Sequence, residues 1–437
     1  MVFGARAARA QVVPSSPETL SIGDWQLAPV VEVRVRGEYR HDLDAVERVI
    51  AVERARLGLD LTHGPLEARV VVQDARALDL TVGDSFVGGS PVQALTGAYE
   101  AWVEAHTSSV HPSFVRVGRQ PITWGEGRLL GEADWSPSGR SLDAVRARLA
   151  IDAVAVEALA ATVDAPSRNF FATEVYATLL GARFQWALDP LFAVELYGLA
   201  RLGYYNPPAA MSFNGAVQGQ TLTGAARLHG ERSSWTWGVE GAYQFGRTDR
   251  VARPGGLYFT GRRAAWAAAA HVSRTFDGAV WTPTLGIGAA YATGDDGGKT
   301  YRAFDPLLPD VHTWHGMMDL FAWSNEEEVS ARLSAVPWND GLVGVEYRYA
   351  RMPQPGGDAW RSGYLVTIGS AQGNTSAALG HEVDAWLRWA PWTNVSLDGG
   401  YSAFFVGAGA RAILTADAFP EVTHVAHFAY LQARYAF

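Results

Sequence analysis

Cysteine is absent from the 437 residues, which removes disulfides, thiol catalysis and Cys-ligated metals from consideration. Such a chain suits passage through an oxidising compartment without requiring it. Lysine is nearly absent as well: lysine and arginine together number 36, and Lys299 is the only lysine. Arginine offers a planar fork that suits carboxylates, so the bias fits a pore for acidic sugars. A GC-rich genome would produce the same bias, and only the positions of the arginines can separate the two. No apolar run reaches the roughly eighteen residues of a membrane-spanning helix, since AIDAVAVEALAATV is cut by Asp152 and Glu157. A chain like this crosses a membrane only as a closed barrel. There is no GxSxG elbow, and the histidines fall mostly in turns and loops without a paired nucleophile, so an enzyme is not expected. No basic tract interleaved with aromatics points to nucleic acid, nothing binds nucleotide, and no cofactor or metal is expected.

No linker or charge block divides the chain, so residues 21–437 read as one unit behind a tail at 1–20. In that tail, Ala8-Arg9-Ala10 before Gln11 resembles a signal-peptidase site, yet the apolar segment of a signal peptide is missing. A signal remnant and an ordinary tail both stay open. The net charge of −9 does not contradict a basic interior, because acids gather in expected loops, as at Asp295 and Asp296 or Glu326, Glu327 and Glu328.

What the sequence does have is alternation. In VEVRVRGEYR, Val31, Val33, Val35 and Tyr39 share one face, and Glu32, Arg34, Arg36, Glu38 and Arg40 the other. Leu57 and Leu59 oppose Arg54 and Arg56, Val70 and Val72 oppose Arg69, and Val115 and Val117 oppose Arg116. Val145, Ala147 and Leu149 oppose Arg146 and Arg148, while Val345 and Tyr347 oppose Glu346 and Arg348. Such runs give about eighteen strands, starting near residues 25, 49, 65, 92, 113, 141, 153, 171, 189, 219, 234, 261, 280, 324, 341, 376, 394 and 421. The connections alternate between short turns such as THGP, GERSS and APWTN and longer loops, the longest near 293–323 and 352–375. Short turns at one end and long loops at the other predict an all-β transmembrane antiparallel barrel with both termini on the periplasmic side. The closing strand ends on an aromatic, Phe437, as bacterial barrels do.

Within 117–149 the residues Gly118-Arg119-Gln120, Gly125, Arg128-Leu129-Leu130-Gly131, Asp134-Trp135, Gly139-Arg140 and Asp143 with Arg146 form a pattern. Together with RAFDPLLPDVHTWHGMMDLFAWSN at 302–325 and LGHEVDAWLRWAPWTNVSLDGGYSAFF at 379–405, it resembles the alginate-export outer-membrane family. The resemblance implies an eighteen-stranded barrel with an electropositive lumen that passes a polyuronate. Trp124, Glu126, Gly127 and Ala144 depart from the family pattern, which bears on cargo rather than fold.

Such a pore needs fixed positive charge along its wall. The candidates are Arg34, Arg36, Arg54, Arg56, Arg69, Arg116, Arg146, Arg148, Arg348 and Arg388 by parity, and Arg119, Arg128 and Arg140 from the family pattern. The alternative is a structural network in which they pair with nearby carboxylates. Asp134, Trp135, Asp143 and Glu382, with Arg140, are candidates for a constriction or for anchors that fold a loop inward. His312 and His315 with Asp310 and Asp319 have a spacing a metal could use, but a polar loop produces such sets readily, and GDDGG at 294–298 reads as an exposed loop. Expected partners are outer-membrane lipid, an anionic polysaccharide or smaller anionic solute, and periplasmic export proteins. An uptake porin and a plugged adhesion barrel are the competing readings.

Overall fold

The computed structural model describes residues 19–79, 94–107, 112–164, 176–189, 191–204, 218–253, 257–310, 312–357, 360–363, 368, 371, 373–416 and 421–437. Its strands are β1 (Leu20–Ile22), β2 (Trp25–His41), β3 (Glu47–His63), β4 (Leu66–Asp79), β5 (Ala94–His106), β6 (Phe114–Gln120) and β7 (Leu142–Ile151). They continue with β8 (Val154–Asp164), β9 (Tyr176–Asp189), β10 (Phe192–Tyr204), β11 (Gln218–Arg232), β12 (Trp235–Arg253), β13 (Leu257–Thr275) and β14 (Thr284–Ala292). The last are β15 (Thr300–Tyr301), β16 (Glu326–Ala335), β17 (Gly341–Arg351), β18 (Ala378–Trp392), β19 (Val395–Val406) and β20 (Val425–Ala436), with one helix, α1 (Ala408–Ala416).

Apart from β1, which hairpins onto β2, and the short β15 beside β13, neighbours pair antiparallel into a closed barrel of 18 strands. Closure comes from β2 against β20, from Glu32↔Ala436 to His41↔His427, so the sheet keeps no open edge. The expected strand starts agree to within a few residues. The largest miss, 171 against Tyr176, falls on residues outside those described. Of the tail at 1–20, residues 1–18 lie outside them too, and Leu20 opens β1. One expectation needs correction: Glu326, Glu327 and Glu328 are not loop residues but open β16.

Alternation along each strand builds two environments. Val33, Val35 and Leu57 are 43%, 56% and 54% exposed, whereas Arg34 and Arg54 between them are 3% and 1%. A folded protein in water would invert this, so the apolar face meets lipid and the charged face the lumen. Exposed Trp25, Trp186, Trp235, Trp281, Trp338 and Trp392 gather at the short-turn end. Tyr39, Tyr243, Trp266, Tyr347 and Tyr401 mark the other limit of the apolar band. These are the two interfacial girdles of a membrane barrel. The short turns use residues at positive φ, namely Gly64, Asp152, Ser233, Asp340 and Asn394, as tight hairpins require.

Candidate functional site

The site is the lumen, and what shapes it is the connection 121–141 between β6 and β7. Gly125 and Gly127, at φ +61° and +77°, bend this loop sharply, and a Cβ on Gly125 would stand 2.5 Å from Glu240. The bend lets Gly125 N–H donate to Glu195 (2.7 Å), Glu126 N–H to Glu240 (3.3 Å) and Trp124 Nε1 to Glu157 (3.3 Å). Those acceptors stand on β10, β12 and β8. Farther along, the loop reaches β2 and β3. Arg34 donates to the carbonyls of Asp134 (2.6 Å) and Ser136 (2.8 Å), and Arg36 to that of Trp135 (3.0 Å). Arg54 and Arg56 approach the Asp134 carboxylate at 2.9 and 3.3 Å. The loop therefore crosses the lumen and is tied at both ends.

A second connection, 302–325, packs on the first. Gly131 N–H donates to Leu308, Leu308 N–H to Leu129 and Asp310 N–H to Gly127, each within 3.0 Å. Arg140 staples the two loops by donating to the carbonyls of Gly131 (2.7 Å), Leu308 (2.6 Å) and Pro309 (3.0 Å). Its burial pulls this guanidinium down to about 10, still fully charged at neutral pH. The Trp135 ring lies flat on His312 at 3.8 Å, beneath the Arg36 guanidinium at 3.7 Å. Two apolar clusters fill the space between loops and wall. One joins Trp124, Leu129 and Leu130 to Phe304, Trp323, Leu159 and Leu199; the other joins Met318, Phe321, Trp360 and α1 to Phe404 and Phe428.

On the short-turn side of these loops a cavity of about 250 Å³ remains, bounded by Arg128, Arg332, Arg348, Arg388, Trp314 and Trp386, with Glu328, Glu346 and Asp384 between them. The candidate arginines divide accordingly. Arg34, Arg36, Arg54 and Arg56 hold the first loop, while Arg348, buried, holds the Trp314 carbonyl (2.9 Å) and Glu346 (2.7 Å). Arg128 pairs with Glu126 (3.2 Å) and covers the Trp314 ring at 4.1 Å. Arg69, Arg116, Arg146, Arg148 and Arg388 stand near the short turns. Four of these face a carboxylate: Arg69 with Asp60 (2.5 Å), Arg116 with Glu104 (2.7 Å), Arg146 with Glu157 (2.8 Å) and Arg388 with Asp398 (2.7 Å).

Two expectations are corrected by strand parity. Arg119 and Asp143 pair with each other (2.6 Å) on the outer surface, because Gln120 and Leu142 beside them take the lumen side. Of the two roles open to Glu382, the contacts are those of an anchor: it is 1% exposed and accepts the Met318 N–H (3.1 Å) and the Ser402 hydroxyl (3.3 Å). Asp295 in GDDGG is buried and accepts the Arg302 N–H, so that segment is not simply an exposed loop. Glu157, Glu195 and Glu240, the acceptors for the first loop, were missed by sequence reasoning. Their signal was an isolated acid at lumen parity in mid-strand.

Asp134 makes the loop sensitive to acid. Burial would raise its carboxyl, but the guanidinium groups of Arg54, Arg34 and Arg56 outweigh that and hold it far below the usual range. A depressed folded value contributes stability that is complete above the unfolded value near 4 and is lost as pH falls below it. Glu132 runs the other way, raised by burial and by Asp134 and Asp310, and offsets part of the loss. The side chain of Asp134 is 41% exposed, so solvent screens the effect. Conductance of the channel in a planar bilayer is therefore expected to turn noisy or rise progressively as pH falls below about 4, and Asp134→Asn to reproduce that state at pH 7.

No curated protein matches the chain. Solved structures do. A BenF-like porin from Pseudomonas fluorescens Pf-5 is 11% identical, with 94% of this chain and 98% of that one covered at a TM-score of 0.61. OpdK of Pseudomonas aeruginosa, solved with vanillate, gives 12%, 94%, 98% and 0.57, and OprD of the same organism gives 12%, 98%, 96% and 0.52. At such identities they establish the fold alone. The alginate export family pattern matches residues 30–417. Spanning nearly the whole barrel wall, that match makes the protein a member of the alginate export family and a channel of the bacterial outer membrane.

Proposed function

We propose that the channel is anion-selective and passes a carboxylate-bearing saccharide, an alginate-like polyuronate or a smaller anionic solute, passively from periplasm to exterior. The observation that carries this is Arg148. Its register partner Glu157 is already taken by Arg146 (2.8 Å) and Arg183 (2.5 Å), and Arg148 makes no ion pair among the described residues. Arg116 and Arg146 stand directly opposite each other nearby. Like charges opposed across strands weaken a sheet, so a wall kept this way fits an anion path better than a purely structural one. A conduction path must bind its ion weakly enough to release it, which suits a guanidinium without a fixed partner.

The packed loops favour the smaller cargo as a second reading, because a cavity of about 250 Å³ has room for a monomer. Arg148→Glu is expected to lower anion-over-cation permeability about threefold, read from reversal potentials in a salt gradient. Block by polyuronate chains supports the polymer, and block by monomeric uronate alone the small solute. Cation selectivity in the unaltered protein would sink both readings.

A further inference from the structure

A second polar cluster lies at the edge of the lumen cavity, where the connection 302–325 meets β16. Strand parity sends Glu326 and Glu328 to the lumen side, while Glu327 pairs outward with Arg351. Asn325 at φ +49°, held through its side chain by the Gln354 backbone (3.0 and 3.1 Å), sets the direction in which β16 starts. Gly316 at φ +89° turns the chain just after His315, where a Cβ would stand 2.5 Å from Glu382. These bends bring His315 Nδ1 to 3.1 Å from Glu326 and 3.4 Å from Glu328. All three side chains are buried, and their three candidate ligand atoms lie within 4.8 Å of one another. Donor atoms about 2.0–2.1 Å from a tetrahedral ion stand roughly 3.3 Å apart, close to the spacing found here.

A second observation points to a missing partner. Apart from the His315 contact inside the cluster, neither carboxylate oxygen of Glu326 has a hydrogen-bond partner, although the residue is only 1% exposed. An ionised carboxylate rarely stays buried in that condition. Arg348 backs the far side of Glu328 with an ion pair, as outer partners of ligating carboxylates do. We infer that His315, Glu326 and Glu328 bind one divalent cation of the zinc class, which ties the connection 302–325 to the barrel wall. An imidazole with only two carboxylates suits zinc, whereas calcium and magnesium call for about six oxygens. Glu328 also bounds the lumen cavity and gives the ion a way in. His315 and Glu326 do not bound it, so the inference stands apart from the choice of cargo.

The test uses the full barrel in detergent, stripped with chelator, reloaded and desalted, with metal content measured by mass spectrometry. One zinc per chain is expected, with calcium bound at least a hundredfold more weakly. Glu326→Gln and His315→Gln should each cut zinc affinity tenfold or more. No zinc retained by the unaltered protein overturns the inference, and so does equal retention by both variants. If the variants do not refold, cobalt(II) in the unaltered protein decides the matter. The intense visible bands of a four-coordinate site support the inference, and the weak spectrum of an octahedral ion overturns it.

Discussion

Cutting the connection 121–141 back to a short Gly-Ser turn is expected to raise single-channel conductance on the order of three to ten times while leaving the barrel folded. A barrel of 18 strands is wide enough for an aqueous channel, so what limits current is the material inside it. The ladder of β6 and β7 runs from Phe114↔Arg148 to Gln120↔Leu142 and needs nothing from the loop above. The loop, by contrast, touches β2 and β3 through Asp134 to Ser136, and β8, β10 and β12 through Trp124 to Glu126. Its removal also withdraws the partners of Leu308 and Asp310, so the connection 302–325 loses one side of its support. Arg34 and Arg56 would then face water and raise anion preference along with current, while Arg36 keeps Glu38 and Arg54 keeps Glu32. An unchanged conductance, in a barrel that still shows heat-modifiable migration, would mean that the narrowest point lies elsewhere.

The same residues explain how much the sequence could reveal. Wall and lipid face were legible because a closed sheet forces a period of two, and Val33, Arg34, Val35 and Arg36 display it without interference. Turn lengths gave the orientation. Inside the barrel that logic stops. Whether Arg34 faces solvent or a loop carbonyl depends on Asp134, 100 residues away, and no local pattern reports such a meeting. Parity was enough to place Glu157 and Glu240 in the lumen, yet not to say that a tryptophan and a loop amide would reach them. Arg119 shows the converse. Its motif suggested a role in the lumen, and the alternation of its own strand turns it outward. The arginine bias thus divides between clamps that hold the loops and the few side chains near the short turns that stay partly open to solvent.

Trp124→Ala should cost about 3–5 kcal/mol of loop docking, the usual range for emptying a large buried aromatic site. The ring is fully buried and stands edge-on to Tyr197 (6.1 Å, 76°), with the Arg183 guanidinium 5.1 Å from its centre. The far side of the ring is closed by Gly181, where a Cβ would come within 2.6 Å of it. Alanine leaves a hole that a stiff barrel wall cannot collapse to fill, so most of the loss persists. Glu157 loses the indole N–H but keeps Arg146 and Arg183, so the wall beneath stays neutralised. Because Trp124 makes no part of the strand ladder, the cost should appear as release of the loop and not as unfolding. Amide exchange at Gly131, Leu308 and Asp310 is expected to accelerate a hundredfold or more, while amides of β7 and β8 keep their protection. Gly181→Val, which pushes the same ring from the wall side, should give the same pattern. Exchange unchanged at those three amides would show that the loop is held by its ion pairs to Arg34, Arg54 and Arg56 alone; equal acceleration in β7 and β8 would show that loop and wall unfold as one unit.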